Sequence, residues 1–337
     1  MNVLHMSGSP HQMKDTENHS NIRLVTLLGD WPLQHPWVLA CMNSWRNLNG
    51  IQPQWLVLSD GTLNPSLLPR LEGITLEADT KKQESIVLEK LSTYPCLRKI
   101  RSLDLTWRKI IDLKIMCQEE VSVLLIDTDV LVRRKVSFPK HDLRSGPVYL
   151  REDIPAYQGD FRTPWKFPMV MSFNAGFVWL NPDCVDLALL ERLAKNCVLT
   201  ASNTWWTEQL AWSVIAGSSG NPMFWDGRDA RVVSGFRTRS PEQIEANQVH
   251  LFSSKQELSS DKEMIQYAGN ASVVHLAGYG KKHYHALVCK DPAADAGTDH
   301  ALRLKQDHTL NTWHSLGIAA RLLAKEYQSR LKSILST

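Results

Sequence analysis

The amino-acid sequence predicts an α/β protein built on a mixed, mainly parallel central sheet flanked by helices, and three observations carry that prediction. The first is a strand–helix–strand unit near the start. Residues 22–28 form a β-rich run that stops at Gly29-Asp30, residues 37–48 have a helical pattern, and residues 54–58 form a second strand ending in Ser59-Asp60-Gly61. Such a βαβ unit requires parallel strands and a crossover helix. The second is the nearly continuous apolar run 121–126, which suits a strand buried on both faces and ends abruptly at Asp127-Thr128-Asp129. The third is the alternation that follows: a strand over 173–180, helices over 184–196 and 207–216, and a short strand over 273–276.

Between the second and third strands, residues 83–120 read as largely helical, with apolar positions at helical spacing across 107–115. The polar residues 1–20 read as a disordered segment. The main body spans 21–290, divided into a donor half (21–132) and an acceptor half (133–290), and 291–337 form a helical tail behind the Ala-, Asp- and Gly-rich stretch 291–298. In that tail, 313–335 place Leu316, Ala320, Leu323, Tyr327, Leu331 and Ile334 on one stripe. The stripe suits packing on the main body. Because His314, Arg321, Lys325, Arg330 and Lys332 face a single acid, Glu326, peripheral contact with an anionic membrane is the alternative.

Composition narrows the function classes. The chain has 337 residues, 43% hydrophobic and 22% charged, as in an ordinary globular enzyme. A net charge of +3 with no basic run argues against nucleic acid as a partner. Six scattered cysteines without a C-x-x-C pair argue against a zinc ribbon or disulfide framework and fit a reducing compartment. No stretch approaches the roughly 18 apolar residues of a spanning helix, and the first twenty lack a signal-peptide core. These features read as cytoplasmic, and the sequons at Asn18 and Asn270 read as chance.

The strongest chemical signal is the buried strand ending in Asp127-x-Asp129. Two carboxylates two residues apart at a turn can converge on one hard divalent ion, and such ions share oxygen ligands with phosphates. An ion there would neutralise charge developing on a departing diphosphate. Taken alone, the same residues could cap a turn and face water.

Three further segments give the pair a context. Residues 123–132, with Asp127 and Asp129, resemble the D-x-D strand of GT-A-fold glycosyltransferases. Phe173-Asn174-Ala175-Gly176-Phe177 and the residues to Asn181 resemble the F-N-[AS]-G segment of the family 8 retaining glycosyltransferases. Thr207-Glu208-Gln209-Leu210 resembles that family's D-Q-D segment, with Glu208 in place of the first Asp and Leu210 in place of the second. His275-Leu276-Ala277-Gly278-Tyr279-Gly280-Lys281 resembles its H-x-x-G-x-x-K. The four elements fall in the family's order over residues 123–281.

The resemblance implies a GT-A fold and a metal-dependent transfer of a hexose from a nucleoside diphosphate sugar, most simply a UDP-hexose, to a hydroxyl acceptor with retention of configuration. The acceptor would be a glycan, a lipid-linked sugar or a protein. It implies that Asp127, Asp129 and His275 bind Mn²⁺ or Mg²⁺, and that Asp127, Thr128, Gly278 and Lys281 meet the donor. Asn174 and Gln209 would lie beside the transferring sugar, with Glu208 binding a sugar hydroxyl or acting as base. Lys114, a helix's length before the D-x-D strand, would reach the donor. Leu28, Asp30 and Asp60, at the carboxyl edge of the sheet, would meet the base and ribose. Trp165, Trp205, Trp206, Trp212 and Trp225 divide between acceptor stacking and the core.

Other readings are weaker. A haloacid-dehalogenase-type phosphatase places its Asp pair near the first strand, with Gly-Thr after it, whereas Val130-Leu131 follow here. A sugar-nucleotide pyrophosphorylase would carry a Gly-rich loop after its first strand, and no phosphate-binding G-x-x-x-x-G-K-[ST] loop occurs. A non-catalytic nucleotide-sugar-binding relative has no need of a complete metal shell.

Overall fold

The computed structural model describes residues 22–47, 54–68, 75–120, 122–151, 163–170, 173–200, 207–234, 236–237, 256–257, 260–289 and 300–306, with single helical positions at 317, 320, 324 and 327. The chain begins with β1 (Arg23–Leu28), α1 (Asp30–Leu33), α2 (Pro36–Ser44), β2 (Gln54–Ser59) and β3 (Thr75–Glu77). Three helices follow, α3 (Thr80–Lys90), α4 (Pro95–Leu103) and α5 (Arg108–Met116), and then β4 (Val123–Ile126). Next come β5 (Val130–Val132), β6 (Val136–Ser137), β7 (Val148–Arg151), α6 (Thr163–Lys166), β8 (Phe173–Leu180), α7 (Leu187–Leu193) and α8 (Thr207–Ser218). The remaining elements are β9 (Met223–Trp225), β10 (Ala230–Val232), β11 (Phe236–Arg237), β12 (Gln256–Glu257), α9 (Asp261–Ala268), β13 (Val273–His275), α10 (Tyr284–Cys289), β14 (His300–Ala301) and β15 (Leu304–Gln306).

Eight strands form the central sheet in the order β15-β9-β7-β8-β4-β1-β2-β3. The pairs β4–β1, β1–β2, β2–β3 and β7–β9 are parallel, while β4–β8, β7–β8 and β9–β15 are antiparallel. The mixed, mainly parallel sheet expected from the sequence is therefore present. Alternation along its strands sends side chains to two cores, as a sheet covered on both faces requires. Val25, Val123 and Leu125 join the core under α3, α4, α5, α7 and α8. Leu24, Leu28, Leu124 and Ile126 join the other, under α2 and α9.

A second, three-stranded sheet, β10-β13-β5, positions the site. The chain leaves the central sheet at Ile126, turns through 127–129 and enters β5, so both aspartates stand at the junction of two sheets. β13 runs antiparallel to β5 with His275 opposite Val130, which brings the end of β13 to that turn.

The long elements agree with the sequence reading within a few residues. β8 spans 173–180 as expected, and the helix read over 184–196 forms as α7 continuing into a π turn at Ala194–Val198. Residues 83–120 divide into three helices because Pro95 starts one and Asp104 caps the turn before another. The tail needs correction. His300–Ala301 and Leu304–Gln306 are strands that pair with β6 and β9, so the sheet extends past residue 290. The helix expected over 313–335 is present at its described positions. Ala320 and Tyr327, both on the expected packing stripe, are exposed, Tyr327 at 67%. The segment 1–20, the stretch 291–298, Trp205 and Trp206 lie outside the described residues.

Candidate active site

The site is built from the ends of β4, β8 and β13 and the first turns of α5 and α8. Asp127 donates its backbone N–H to the Gly176 carbonyl at 2.8 Å, and the Leu276 N–H donates to the Asp129 carbonyl at 2.9 Å. Each backbone bond fixes an aspartate against the strand that supplies its neighbour. Gly176 has no alternative at its position: a Cβ there would lie 2.2 Å from the His275 ring. Gly278, with φ of +55°, turns the chain after β13 in the left-handed region that glycine tolerates. That turn leads into a short 3-10 segment, Gly278–His283, which carries Lys281.

The imidazole of His275 decides what the cluster can do. Asn174 Oδ1 accepts the Gly176 N–H at 2.8 Å and lies 2.8 Å from His275 Nδ1. An oxygen that accepts one bond requires the second partner to donate, so Nδ1 carries the proton. Nε2 faces Asp129 Oδ1 at 3.0 Å and Asp127 Oδ2 at 3.8 Å. Asp129 Oδ1 is buried, with His275 Nε2 beside it. Asp127, Asp129 and His275 each offer one ligand atom, all within 4.8 Å of one another. Two carboxylate oxygens and an imidazole nitrogen, which gives up its proton when it ligates, suit a divalent ion, and Asn174 engages Nδ1 so that Nε2 is the ligating nitrogen.

The outer carboxylate oxygens are held by lysines. Lys109 Nζ is 2.6 Å from Asp127 Oδ1, and Lys281 Nζ is 2.9 Å from Asp129 Oδ2. Burial disfavours the charged form of Asp129, but His275 and Lys281 outweigh it and hold the carboxyl well below its usual range. Burial likewise opposes the charge on Lys109, and Asp127, Glu208 and Asp129 overcome it, keeping the ammonium protonated. Glu208 differs. Burial pushes its carboxyl up to about 7, against the pull of Lys109 and with help from Asp127, while it accepts the Trp212 indole N–H at 2.7 Å. α8 is anchored at its first residue, since Thr207 Oγ1 accepts the Trp107 indole N–H at 2.9 Å and bonds Asp104 at 3.1 Å. The first turns of α5 and α8, and with them Lys109 and Glu208, are therefore tied to one support.

At the neighbouring edge, the ends of β1 and β2 are knitted together. The Leu28 carbonyl accepts the Asp60 N–H, and Asp60 Oδ1 accepts from the N–H and hydroxyl of Thr62. The Asp30 N–H donates to that Thr62 hydroxyl, and Asp30 Oδ1 accepts from the Asn64 N–H. A side chain at Gly29 would collide with the Asp60 carboxylate. Arg108 ties this edge to α5 by donating to the Ser59 carbonyl, and Arg101 braces the helix through Glu84 and Asp112.

Of the residues singled out in the sequence, Asp127, Asp129, His275, Asn174 and Lys281 meet in one cluster. Glu208 lies within the field of Lys109 and Asp127. Half-buried Gln209 has a buried Oε1 with no partner among the described residues. Leu28 packs its side chain into the core and offers only its backbone. Lys114 does not join the cluster: it pairs with the exposed Asp183 at 2.9 Å. Lys109 takes the place expected of it. A helix returning between parallel strands begins at their carboxyl edge, so the first turn of α5 faces the site while Lys114, five residues on, lies about 7 Å farther along the axis. That directional rule was available in the sequence and was the missed signal. Trp212 and Trp225 are core residues, and Trp165 is 59% exposed.

No family model and no curated protein matches this chain. Among solved structures it is similar to the apo form of WbbM, a bifunctional glycosyltransferase, at 13% identity and a TM-score of 0.46, over 82% of this chain and 51% of that one. The chain thus spans about half the length of WbbM. It is also similar to an active-site mutant of LgtC (13% identity, TM-score 0.44, 80% of this chain and 95% of that one). Mouse xyloside xylosyltransferase 1 aligns at 14% identity and a TM-score of 0.40, over 75% and 96% of the two chains. Among the described residues, no helix is long and apolar enough to cross a membrane.

Proposed function

We propose that this chain is a metal-dependent glycosyltransferase of the GT-A type that takes a hexose from a nucleoside diphosphate sugar, most simply a UDP-hexose. The observation that carries the reading is the convergence of Asp127 Oδ2, Asp129 Oδ1 and His275 Nε2, with a lysine behind each carboxylate. These atoms would hold a divalent ion, Mn²⁺ by preference, whose charge would offset that developing on the leaving diphosphate. Lys281, at the solvent edge, pairs with a phosphate, and Gly278 and Thr128 allow the donor a close approach. Lys109, buried behind Asp127, holds that carboxylate in register. Leu28, through its backbone, and the knitted Asp30–Asp60 edge receive the base and ribose. Asn174, its oxygen committed to His275 and Gly176, orients the imidazole. Gln209 offers its amide to the reacting face of the sugar, and Glu208 binds a sugar hydroxyl. Transfer goes to a hydroxyl acceptor with retention. Five free cysteines among the described residues suit a reducing, cytoplasmic setting.

Thermal stabilisation by a panel of nucleotides and nucleotide sugars, each with Mn²⁺ or EDTA, tests the reading. A metal-dependent shift with UDP or one UDP-sugar supports it and names the donor for acceptor screens. An absence of any nucleotide-dependent shift overturns it.

A further inference from the structure

The tail helix leaves its apolar side open. Gly317, Ala320, Ala324 and Tyr327 are helical, and their spacing puts them on one face. All four are exposed, Tyr327 at 67%, and a Cβ at Gly317 would meet nothing within 4 Å. At none of these positions does the main body cover the face. The same spacing in the sequence continues it with Leu331 and Ile334 and begins it with Leu316. Charge lies beside the face and not on it, since Arg321, Lys325 and Lys332 fall along one flank by that spacing. Over residues 313–335, four Lys and Arg stand against one Glu. That formal +3 equals the net charge of the whole chain, so the remaining residues sum to zero.

We propose that this face docks on an anionic lipid surface, with the helix lying in the plane of the headgroups. Apolar side chains gain by leaving water for the acyl boundary, while flanking Arg and Lys extend their long stems and keep their charges among the phosphates. Tyr327 suits that boundary, with an apolar ring and a polar hydroxyl. A second copy of the chain is the poorer occupant, because pairing two such helices brings two concentrations of positive charge together. The root of the tail is fixed. Residues 300–306 pair with β6 and β9, and Arg303 holds Asp229 at 2.6 Å. Docking through the helix therefore tethers the main body to the surface, where hydroxyl acceptors carried on lipid are concentrated. None of these observations depends on the metal site.

The test is flotation of the full chain with vesicles of phosphatidylcholine alone or of phosphatidylcholine with phosphatidylglycerol. We expect binding to the anionic vesicles to be about tenfold or more the stronger, and to weaken about tenfold between about 0.1 M and about 0.5 M salt. Arg321→Glu with Lys325→Glu, which reverses two charges on the flank, should cost about a hundredfold or more. Tyr327→Ser should cost about tenfold, through the apolar face. Both variants should melt as the wild type does, which separates lost docking from lost fold, and the comparison of the two lipids needs no variant at all. Absence of binding to either vesicle overturns the docking, and so does equal binding to both. A concentration-dependent dimer in sedimentation velocity without lipid, abolished by Tyr327→Ser, overturns it too and gives the face to a second copy.

Discussion

Two pairs of aspartates sit beside strand ends in this molecule, and they are treated in opposite ways. Asp226 and Asp229, between β9 and β10, are each 1% exposed and saturated with donors. Asp229 accepts from the backbone and guanidinium of Arg303 and lies 3.0 Å from the His300 ring, and Asp226 accepts from the backbone and guanidinium of Arg228. Asp127 and Asp129 are held by one lysine each on the outer side, and their inner oxygens face Nε2 of one imidazole. The first arrangement spends its hydrogen-bonding capacity on clamping residues 300–306 to the sheet. The second turns its inner oxygens onto a single imidazole nitrogen, an arrangement that a cation can bridge. The carboxylate count is the same in both regions, and Asp129 is nearly as buried as Asp226 and Asp229. What separates a structural pair from a functional one is the satisfaction of the last lone pairs.

The sharpest way to break this comparison is to neutralise one member of each pair. Asp129→Asn should lower turnover of the donor by about a thousandfold or more, because it takes a charged oxygen out of the set that would hold the ion. Full activity in that variant, measured with a nucleotide sugar and Mn²⁺, would sink the metal assignment. Lys109→Met should cost about a hundredfold in activity by letting Asp127 leave its register, with Mn²⁺ still able to bind.

Asp229→Asn should act on stability. We expect a loss of about 1–3 kcal/mol in denaturant unfolding, discounted because Arg303 is half exposed, with the metal-dependent nucleotide shift retained. A loss of that shift at unchanged stability would reverse the roles assigned to the two pairs.

Acid and base limbs of the stability curve sharpen the contrast further. Glu208 titrates at about 7 in the fold against an ordinary 4.5, so the folded state holds its proton more tightly than the unfolded one. The stability it contributes is fully present below about 4.5 and is lost as pH rises through 7. Glu208→Gln should therefore flatten the profile between those values and gain about 1–3 kcal/mol relative to wild type at pH 8 in metal-free buffer. Asp226, lowered to about 2 chiefly by Arg228 against the cost of burial, has the opposite sign. Its contribution is present above 3.8 and is lost as pH falls through 2. The smallest effect belongs to Lys114→Ala, which should change activity by less than about twofold because its ion pair with Asp183 is a surface contact.

The sequence by itself determined the class of fold, because period-2 burial and a βαβ unit leave few arrangements for a chain with these apolar runs. It also marked Asp127 and Asp129 at the end of a buried apolar run, and Asn174, Glu208, His275 and Lys281 through the resemblance of their segments to the family 8 glycosyltransferases. Tertiary structure decided the rest. Only the packing of β13 on β5 brings His275 to within 3.0 Å of Asp129 across 146 positions of sequence. Only the direction of α5 selects Lys109 over Lys114, and both are equally basic in the sequence. The short strands β7, β9 and β15 carry little local signal, since three or four residues make no periodic pattern and pairing alone defines them. Charge satisfaction is likewise a property of neighbours in space: no composition or spacing distinguishes Asp229 from Asp129, and the donors around each one do.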